Sequence, residues 1–266
     1  MKGIETRGLI VKCTDYGESD RIVTVITERM GKVRGIAKGA RRSMKRFGGC
    51  LETFSLVSLL IKEGKSLSYI GEGRVLKDFR EIKKDIEKIS YGSYMLEISE
   101  AVALDDGAHL ETHALNNEPA SNTVFSLLLD AIKSLADSRE PEAEARGFEL
   151  RLLAMAGYLP SFLNCLSCRG SVLEGEKNKV RVSFDSALFS SARGGVLCTN
   201  CAASEGKALD FISAGTLKTL NSAAKGKVLF TRNSLEESGR LMRNFISHHI
   251  DKRLKTLEFI DKMKGL

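Results

Sequence analysis

The chain has 266 residues, 42% hydrophobic and 28% charged, with a formal net charge of +7. That is enough for two or three small domains with modest cores. Nothing in it approaches the ~18 consecutive apolar residues of a membrane span, and Met1-Lys-Gly-Ile-Glu-Thr-Arg-Gly8 lacks the apolar core and cleavage site of an export signal. A cytoplasmic protein with reduced cysteines is the expectation.

The first 80 residues read as β. Gly8-Leu-Ile-Val-Lys-Cys13 and Arg21-Ile-Val-Thr-Val-Ile-Thr27 are β-branched runs joined by the turn residues Asp15-Tyr-Gly-Glu-Ser-Asp20. Lys32-Val-Arg-Gly-Ile-Ala37, Phe54-Ser-Leu-Val-Ser-Leu-Leu-Ile61 and Leu67 to Val75 complete a set of five short strands, with a longer connection between the third and fourth. This count and spacing predict a small Greek-key barrel of the oligonucleotide-binding (OB) type over residues 1–78. From Asp78 the period becomes helical, with Ile82, Ile86, Ile89, Tyr94 and Ile98 as a core stripe ending near Asp105-Asp-Gly107. A break at Asn117-Glu-Pro119 precedes a helix through Val124, Leu128 and Ile132. A further break at Ser138-Arg-Glu-Pro141 precedes one carrying Phe148, Leu152, Met155 and Leu159. Two more helical stretches, Ser213 to Ala224 and Ser234 to Ile250, follow the last cysteines. The fold class expected is α+β multidomain: the OB barrel, then an α-helical domain over 79–266 into which a four-cysteine zinc ribbon, 160–206, is inserted.

Charge is uneven. Residues 1–80 hold 17 Lys and Arg against 9 Asp and Glu, whereas the remaining 186 hold 24 against 25. The excess concentrates in Lys32, Arg34, Lys38, Arg41, Arg42, Lys45 and Arg46, a stretch without one acid. A polyanion is the natural partner, and seven phosphate contacts to a single strand would give a salt slope of up to about −5. A merely solvated basic loop is the plainer alternative. Aromatic residues are few and tryptophan is absent, which limits candidates for base stacking to Tyr16, Phe47 and Tyr69, each of them also a candidate for the core.

Cys165, Cys168, Cys198 and Cys201 form two Cys-x-x-Cys pairs separated by 29 residues. Each pair can take two corners of a tetrahedral zinc ion, so Zn2+ is expected as a structural cofactor, with buried thiols or disulfides as the alternatives. Four thiolates leave no coordination position for water, and such a site stabilises a fold and runs no chemistry. Cys13 and Cys50 read as small buried hydrophobes.

Enzyme signatures fail. Gly64-Lys-Ser66 resembles the end of a phosphate-binding loop, but Leu59 stands where its first glycine belongs. His109, His113, His248 and His249 lie far in sequence from the cysteines, and residues 29–51 offer no acid for a metal-dependent nuclease. No catalytic residue is assigned.

Three strings in the N-terminal part carry a family resemblance: Asp15-Tyr-Gly-Glu-Ser-Asp-Arg-Ile-Val23, Gly31-Lys-Val-Arg-Gly-Ile-Ala-Lys-Gly-Ala-Arg-Arg42, and Arg46-Phe-Gly-Gly49 with Leu51-Glu-Thr-Phe54. Three more follow in order: Glu149-Leu-Arg-Leu-Leu-Ala-Met-Ala-Gly-Tyr-Leu-Pro160, Gly194-Gly-Val-Leu-Cys198 and His249-Ile-Asp-Lys-Arg-Leu-Lys-Thr256. Together they resemble the bacterial RecO family over nearly the whole chain. Two departures are Arg169, where a glycine often follows a zinc doublet, and Thr256, where serine is expected. The resemblance implies a DNA repair and recombination mediator that binds single- and double-stranded DNA and anneals complementary strands. It also implies partnership with RecR, with the C-terminal tail of single-stranded-DNA-binding protein and, indirectly, with RecA, in the nucleoid. Two other readings stay open: a zinc-ribbon RNA-binding factor of translation or transcription, and an adaptor whose basic run holds an acidic protein tail.

Overall fold

The computed structural model describes residues 3–103, 123–172, 186–205, 209–250 and 253–265. The expected features at Asp105-Asp-Gly107, His109, His113 and Asn117-Glu-Pro119 lie outside these residues. By internal contacts the chain divides into two compact units, Met1–Pro141 with Glu258–Leu266, and Glu142–Leu257.

In the first unit β1 (Ile4–Tyr16), β2 (Asp20–Thr27), β3 (Gly31–Ala37), β4 (Ser55–Lys62) and β5 (Ser68–Asp78) close a barrel in the order β1-β2-β3-β5-β4. All neighbours are antiparallel except β3 and β5. This is the five-stranded Greek-key closure of the OB type. Alternation fills it: Val23, Val25, Val33, Val57, Leu59, Ile61 and Ile70 point inward. The short helix α1 (Met44–Phe47) in the β3–β4 connection adds Phe47, and Cys50 beside it is fully buried. Cys13, half-buried, packs at the edge of the same core.

Helices cover part of the barrel. After α2 (Arg80–Lys83), α3 (Ile86–Val102) and α4 (Val124–Asp137) pack on β1, and α4 also on β2. Leu9 and Ile26, paired across those strands but outside the barrel core, are accordingly buried. The Leu51-Glu-Thr-Phe54 string has a structural role here. Phe54 takes a positive φ of 60°, and a Cβ on Gly92 of α3 would meet its ring at 2.7 Å, so only glycine allows this approach. The Phe54 carbonyl accepts from Phe79 N–H at 3.1 Å. Asp85 breaks the helical stripe by capping α3, its carboxylate accepting from the N–H groups of Glu87 and Lys88. That break leaves Ile86 60% exposed while Ile82, Tyr94 and Ile98 are buried.

The second unit contains α5 (Pro141–Met155), a small sheet of β6 (Ser186–Ser190), β7 (Gly195–Leu197) and β8 (Asp210–Ser213) in the order β7-β6-β8, and α6 (Thr199–Ala202). Then come α7 (Ala214–Ala224) and α8 (Arg232–His249); the last helix, α9 (Lys255–Lys264), belongs from Glu258 onward to the first unit. Ser213 caps α7, and Thr231 with Ser234 forms a capping box on α8. Leu159 falls beyond the end of α5 and is exposed.

The motif residue Glu149 is structural. It is 0% exposed and ion-paired with Arg146, one turn away on α5 and itself buried. Replacing Glu149 by Gln removes one carboxylate paired with the buried Arg146 charge, and should cost about 1–3 kcal/mol in denaturant titrations.

Candidate nucleic-acid interface and metal centre

Strand β3 sorts the basic run by its two-residue period. Val33, Gly35 and Ala37 are buried, whereas Lys32, Arg34 and Ile36 face outward, exposed or half-buried. Lys38, just past the strand end, is exposed, as are Arg41, Arg42 and Lys45 of the following loop and α1. The side chains of four of the seven, Lys32, Arg41, Arg42 and Arg46, have partners within the protein. Lys32 Nζ donates to the Glu100 carbonyl at 3.1 Å, near the C-terminal end of α3 where a cation is favoured. Arg46 donates to the Lys38 carbonyl at 2.6 Å and to Ser43 Oγ at 3.2 Å, and its guanidinium sits 5.2 Å from the Phe47 ring centroid. Phe47 is 2% exposed and belongs to the core, whereas Tyr16 is 56% exposed and Tyr69 half-buried.

The Asp15-Tyr-Gly-Glu-Ser-Asp20 turn is the clamp on this loop. Asp20 Oδ1 accepts from Gly39 N–H at 2.8 Å and from Ser19 Oγ at 3.0 Å. The Gly39 N–H first, and then the Ser19 hydroxyl, hold the Asp20 carboxyl below the usual aspartate range. A depressed value means that this contribution is complete above the ordinary aspartate pKa and is lost only as pH falls through the lowered one. Arg41 N–H donates to the Ser19 carbonyl at 3.0 Å, and its side chain lies 3.5 Å from Asp15. Asp15 also holds Arg21 at 3.0 Å, and Glu18 stands 3.5 Å from Arg42. These pairs are solvent-exposed, so each is weak and readily exchanged for another anion.

Sequence reading missed one basic residue on the same surface. Lys12 pairs with Thr24, which pairs with Arg34, and directly opposed residues share a face. Lys12 is exposed. Four consecutive buried residues, Gly8 to Val11, and a register shift between Ile10 and Lys12 precede it, so local alternation does not mark its face and only the cross-strand register does.

The four cysteines do converge: their Sγ atoms all lie within 4.8 Å of one another, with Cys168 and Cys198 at 3.8 Å. Thiolates at the ~2.3 Å bond length of a tetrahedral zinc site sit about 3.8 Å apart, so the spacing fits a metal ion. Local folding places each pair. Cys165 N–H donates to Gly170 O at 2.8 Å and its carbonyl accepts from Arg169 N–H at 2.9 Å, closing a tight knuckle around Cys168. Arg169 takes the left-handed φ of 63° that a glycine would adopt freely, at a cost of about 1–2 kcal/mol. On the other side, a Cβ on Gly195 would lie 2.9 Å from Ser161 O and from a Leu166 methyl, so the Gly194-Gly195 step is what lets β7 approach the first knuckle.

The thiols push one another apart in acidity. Burial raises Cys165, but N–H groups of Cys168, Cys198 and Ser167 more than offset it and bring the thiol to about 6. Hydrogen bonding to Cys198, burial and the neighbouring sulfurs push Cys201 up to about 12. Four thiolates this close need a cation to share their charge.

The β6–β7 connection is tied to α8 within the same unit. His249 Nε2 lies 2.9 Å from Ser191 O, its ring 4.3 Å from that of Phe245, and Phe245 in turn packs edge-on to Phe189 at 6.4 Å. Among the described residues no other cluster of metal-ligating groups exists, and no helix is long and apolar enough to cross a membrane.

The chain thus joins a five-stranded barrel with a basic outer row to a helical region that carries a four-thiol cluster. The family model described as Recombination protein O N terminal matches residues 1–79, and that of Recombination protein O C terminal matches 83–258. DNA repair protein RecO of Anaeromyxobacter sp. (strain K) is 31% identical, the match covering 100% of this chain and 99% of that protein. DNA repair protein RecO of Acetivibrio thermocellus is 29% identical over 98% of this chain and 97% of its own, and that of Desulfatibacillum aliphaticivorans 30% over 99% and 98%. The chain belongs to the RecO family of DNA repair and recombination proteins, which are mediators and not enzymes.

Proposed function

We propose that this protein binds single- and double-stranded DNA through the barrel and anneals complementary single strands, including strands coated by single-stranded-DNA-binding protein. With RecR it then helps load RecA on coated gaps, taking the C-terminal tail of the coat protein as a further contact, in the nucleoid. The observation that carries this reading is the acid-free stretch Lys32, Arg34, Lys38, Arg41, Arg42, Lys45 and Arg46 on the barrel of a RecO-family chain. Annealing two polyanions requires screening their repulsion while leaving base edges free to pair. Phosphate contacts from a cationic surface do this without reading sequence. Lys32 contributes least, because the Glu100 carbonyl already holds its ammonium.

Residues 1–78 act as the nucleic-acid-binding domain in this proposal, and the cysteine module within 160–206 is a staple in the helical remainder. Cys165, Cys168, Cys198 and Cys201 would hold Zn2+, which supplies charge neutralisation and cross-linking and, with four thiolates around it, no open position for a substrate. Mixing complementary oligonucleotides, bare and coated, across a salt series tests the whole reading. Added protein should accelerate duplex formation without ATP, and the effect should fade as salt rises. Unchanged annealing, or preference for RNA over DNA of the same sequence, would overturn it.

A further inference from the structure

One row across the barrel's outer surface has no part in its core. Ile22 of β2 pairs with Ile36 of β3, and Ile36 pairs with Tyr69 of β5. Directly opposed residues lie on the same face about 5 Å apart, so these three side chains form a short continuous apolar strip. All three are half-buried, and none belongs to the barrel's core set, although their strand neighbours Val23, Ala37 and Ile70 do. Helices α3 and α4 pack on β1, α4 also on β2, and α1 packs against β5, yet Ile22, Ile36 and Tyr69 all keep partial exposure.

Cations flank this strip on both sides. Along β3 the outward sequence is Arg34, Ile36, Lys38, which places a cation two residues before and two after the central isoleucine, both exposed. Lys12 lies in the neighbouring cross-strand row with Arg34 through Thr24. An apolar bar crossed by a basic line is complementary to a polymer with flat apolar faces on an anionic backbone. Asp20, two residues before Ile22 on the same face of β2, stands beside Lys38 with its carboxylate engaged by the Gly39 N–H and the Ser19 hydroxyl, while Asp15 and Glu18 stand at the β1–β2 turn, on Arg21, Arg41 and Arg42.

Resting on the DNA-binding reading above, we propose that Ile22, Ile36 and Tyr69 form a platform for the unpaired bases of a single strand, whose phosphates lie on Arg34, Lys38 and Lys12. The loop cations Arg41, Arg42 and Lys45 contact only backbone and serve single and double strands alike. Tyr69 supplies the aromatic face, the two isoleucines the apolar floor. A duplex, with its bases already stacked, gains nothing from the strip. A single strand therefore leaves the platform as it pairs, while the loop keeps hold of the product's phosphates.

The test compares the full chain's affinity for a thymine oligonucleotide with that for an abasic strand of equal length and charge. Base–aromatic stacking at one position corresponds to about a tenfold preference for the strand with bases. Tyr69→Ala should abolish that preference while leaving abasic-strand affinity, duplex affinity and the salt slope unchanged. Tyr69→Phe should retain it. Ile36→Thr, a β-compatible change at an outward position, should reduce it and guards against a folding defect in the alanine variant. Equal affinity of the parent protein for both strands sinks the platform and leaves the DNA-binding reading standing. Absence of binding to either strand sinks both. Equal loss on both strands in Tyr69→Ala makes the tyrosine structural, and Tyr69-dependent binding of an acidic peptide without base preference assigns the strip to a protein partner; each outcome refutes the proposal.

Discussion

Charge reversal at Lys38, Arg42 and Lys45 is expected to weaken single-strand binding by at least about a hundredfold at ~0.1 M salt. Each phosphate contact on a single strand releases about 0.7 of a counterion, which at that concentration corresponds to roughly fivefold in affinity. Three lost contacts multiply to about a hundredfold, and reversal adds repulsion to the loss. The choice of residues follows from the contacts. Arg46 is omitted because it holds the Lys38 carbonyl and Ser43, and Arg41 because its backbone and side chain join the loop to the β1–β2 turn. Lys38, Arg42 and Lys45 are exposed, and Arg42 loses only a 3.5 Å pair with Glu18, itself 92% exposed. Melting temperature and metal content should therefore be unchanged, and the salt slope should flatten by about 2. Parent-like affinity in a folded triple variant would place the DNA footprint off this face.

The barrel was legible because alternation and turn chemistry agreed at every strand. Val23 and Val25, or Val33 and Ala37, repeat at the two-residue period that one buried face imposes, and the turn at Met30-Gly31 has glycine at the positive φ of 63°. Cross-strand neighbours were not legible, because they depend on register, which local sequence does not contain. Lys12 and Arg34 lie 22 residues apart in the chain and share a face only through Thr24. The same limit hid what Asp15 and Asp20 do. They read as turn residues, which they are, but their carboxylates also hold Arg21, Arg41 and the Gly39 N–H.

Short elements were lost for a different reason. Strand β8 has four residues, too few for a period to declare itself, and it exists because β6 offers it an edge. The cap at Asp85 hides inside a pattern that otherwise continues from Ile82, so the stripe assigns Ile86 to the core, whereas it is the first, exposed residue of α3. The convergence of the cysteines needed no register at all, since two Cys-x-x-Cys pairs point to one cluster whatever the fold between them.

Replacing Cys198 and Cys201 together by serine should release the metal and lower the melting temperature by ~10 °C or more. Structural zinc sites contribute about 10–16 kcal/mol of binding free energy in small domains, and a protein of this size shifts by about 2–4 °C for each kcal/mol. Even a modest retained fraction is therefore visible. This pair is the informative one because the backbone N–H of Cys198, which donates to Cys165 Sγ at 3.4 Å, is kept, so the change removes two ligands without removing that bond. Cys13→Ser is the matched control: a half-buried thiol away from the cluster, whose loss should leave metal content untouched. Protons compete with the metal for the thiolates, so release from the parent protein should become easier as pH falls. A parent protein purified without metal, melting at the same temperature as the double serine variant, would show that hydrogen bonds and the Phe162, Phe189 and Phe245 rings hold the module closed by themselves.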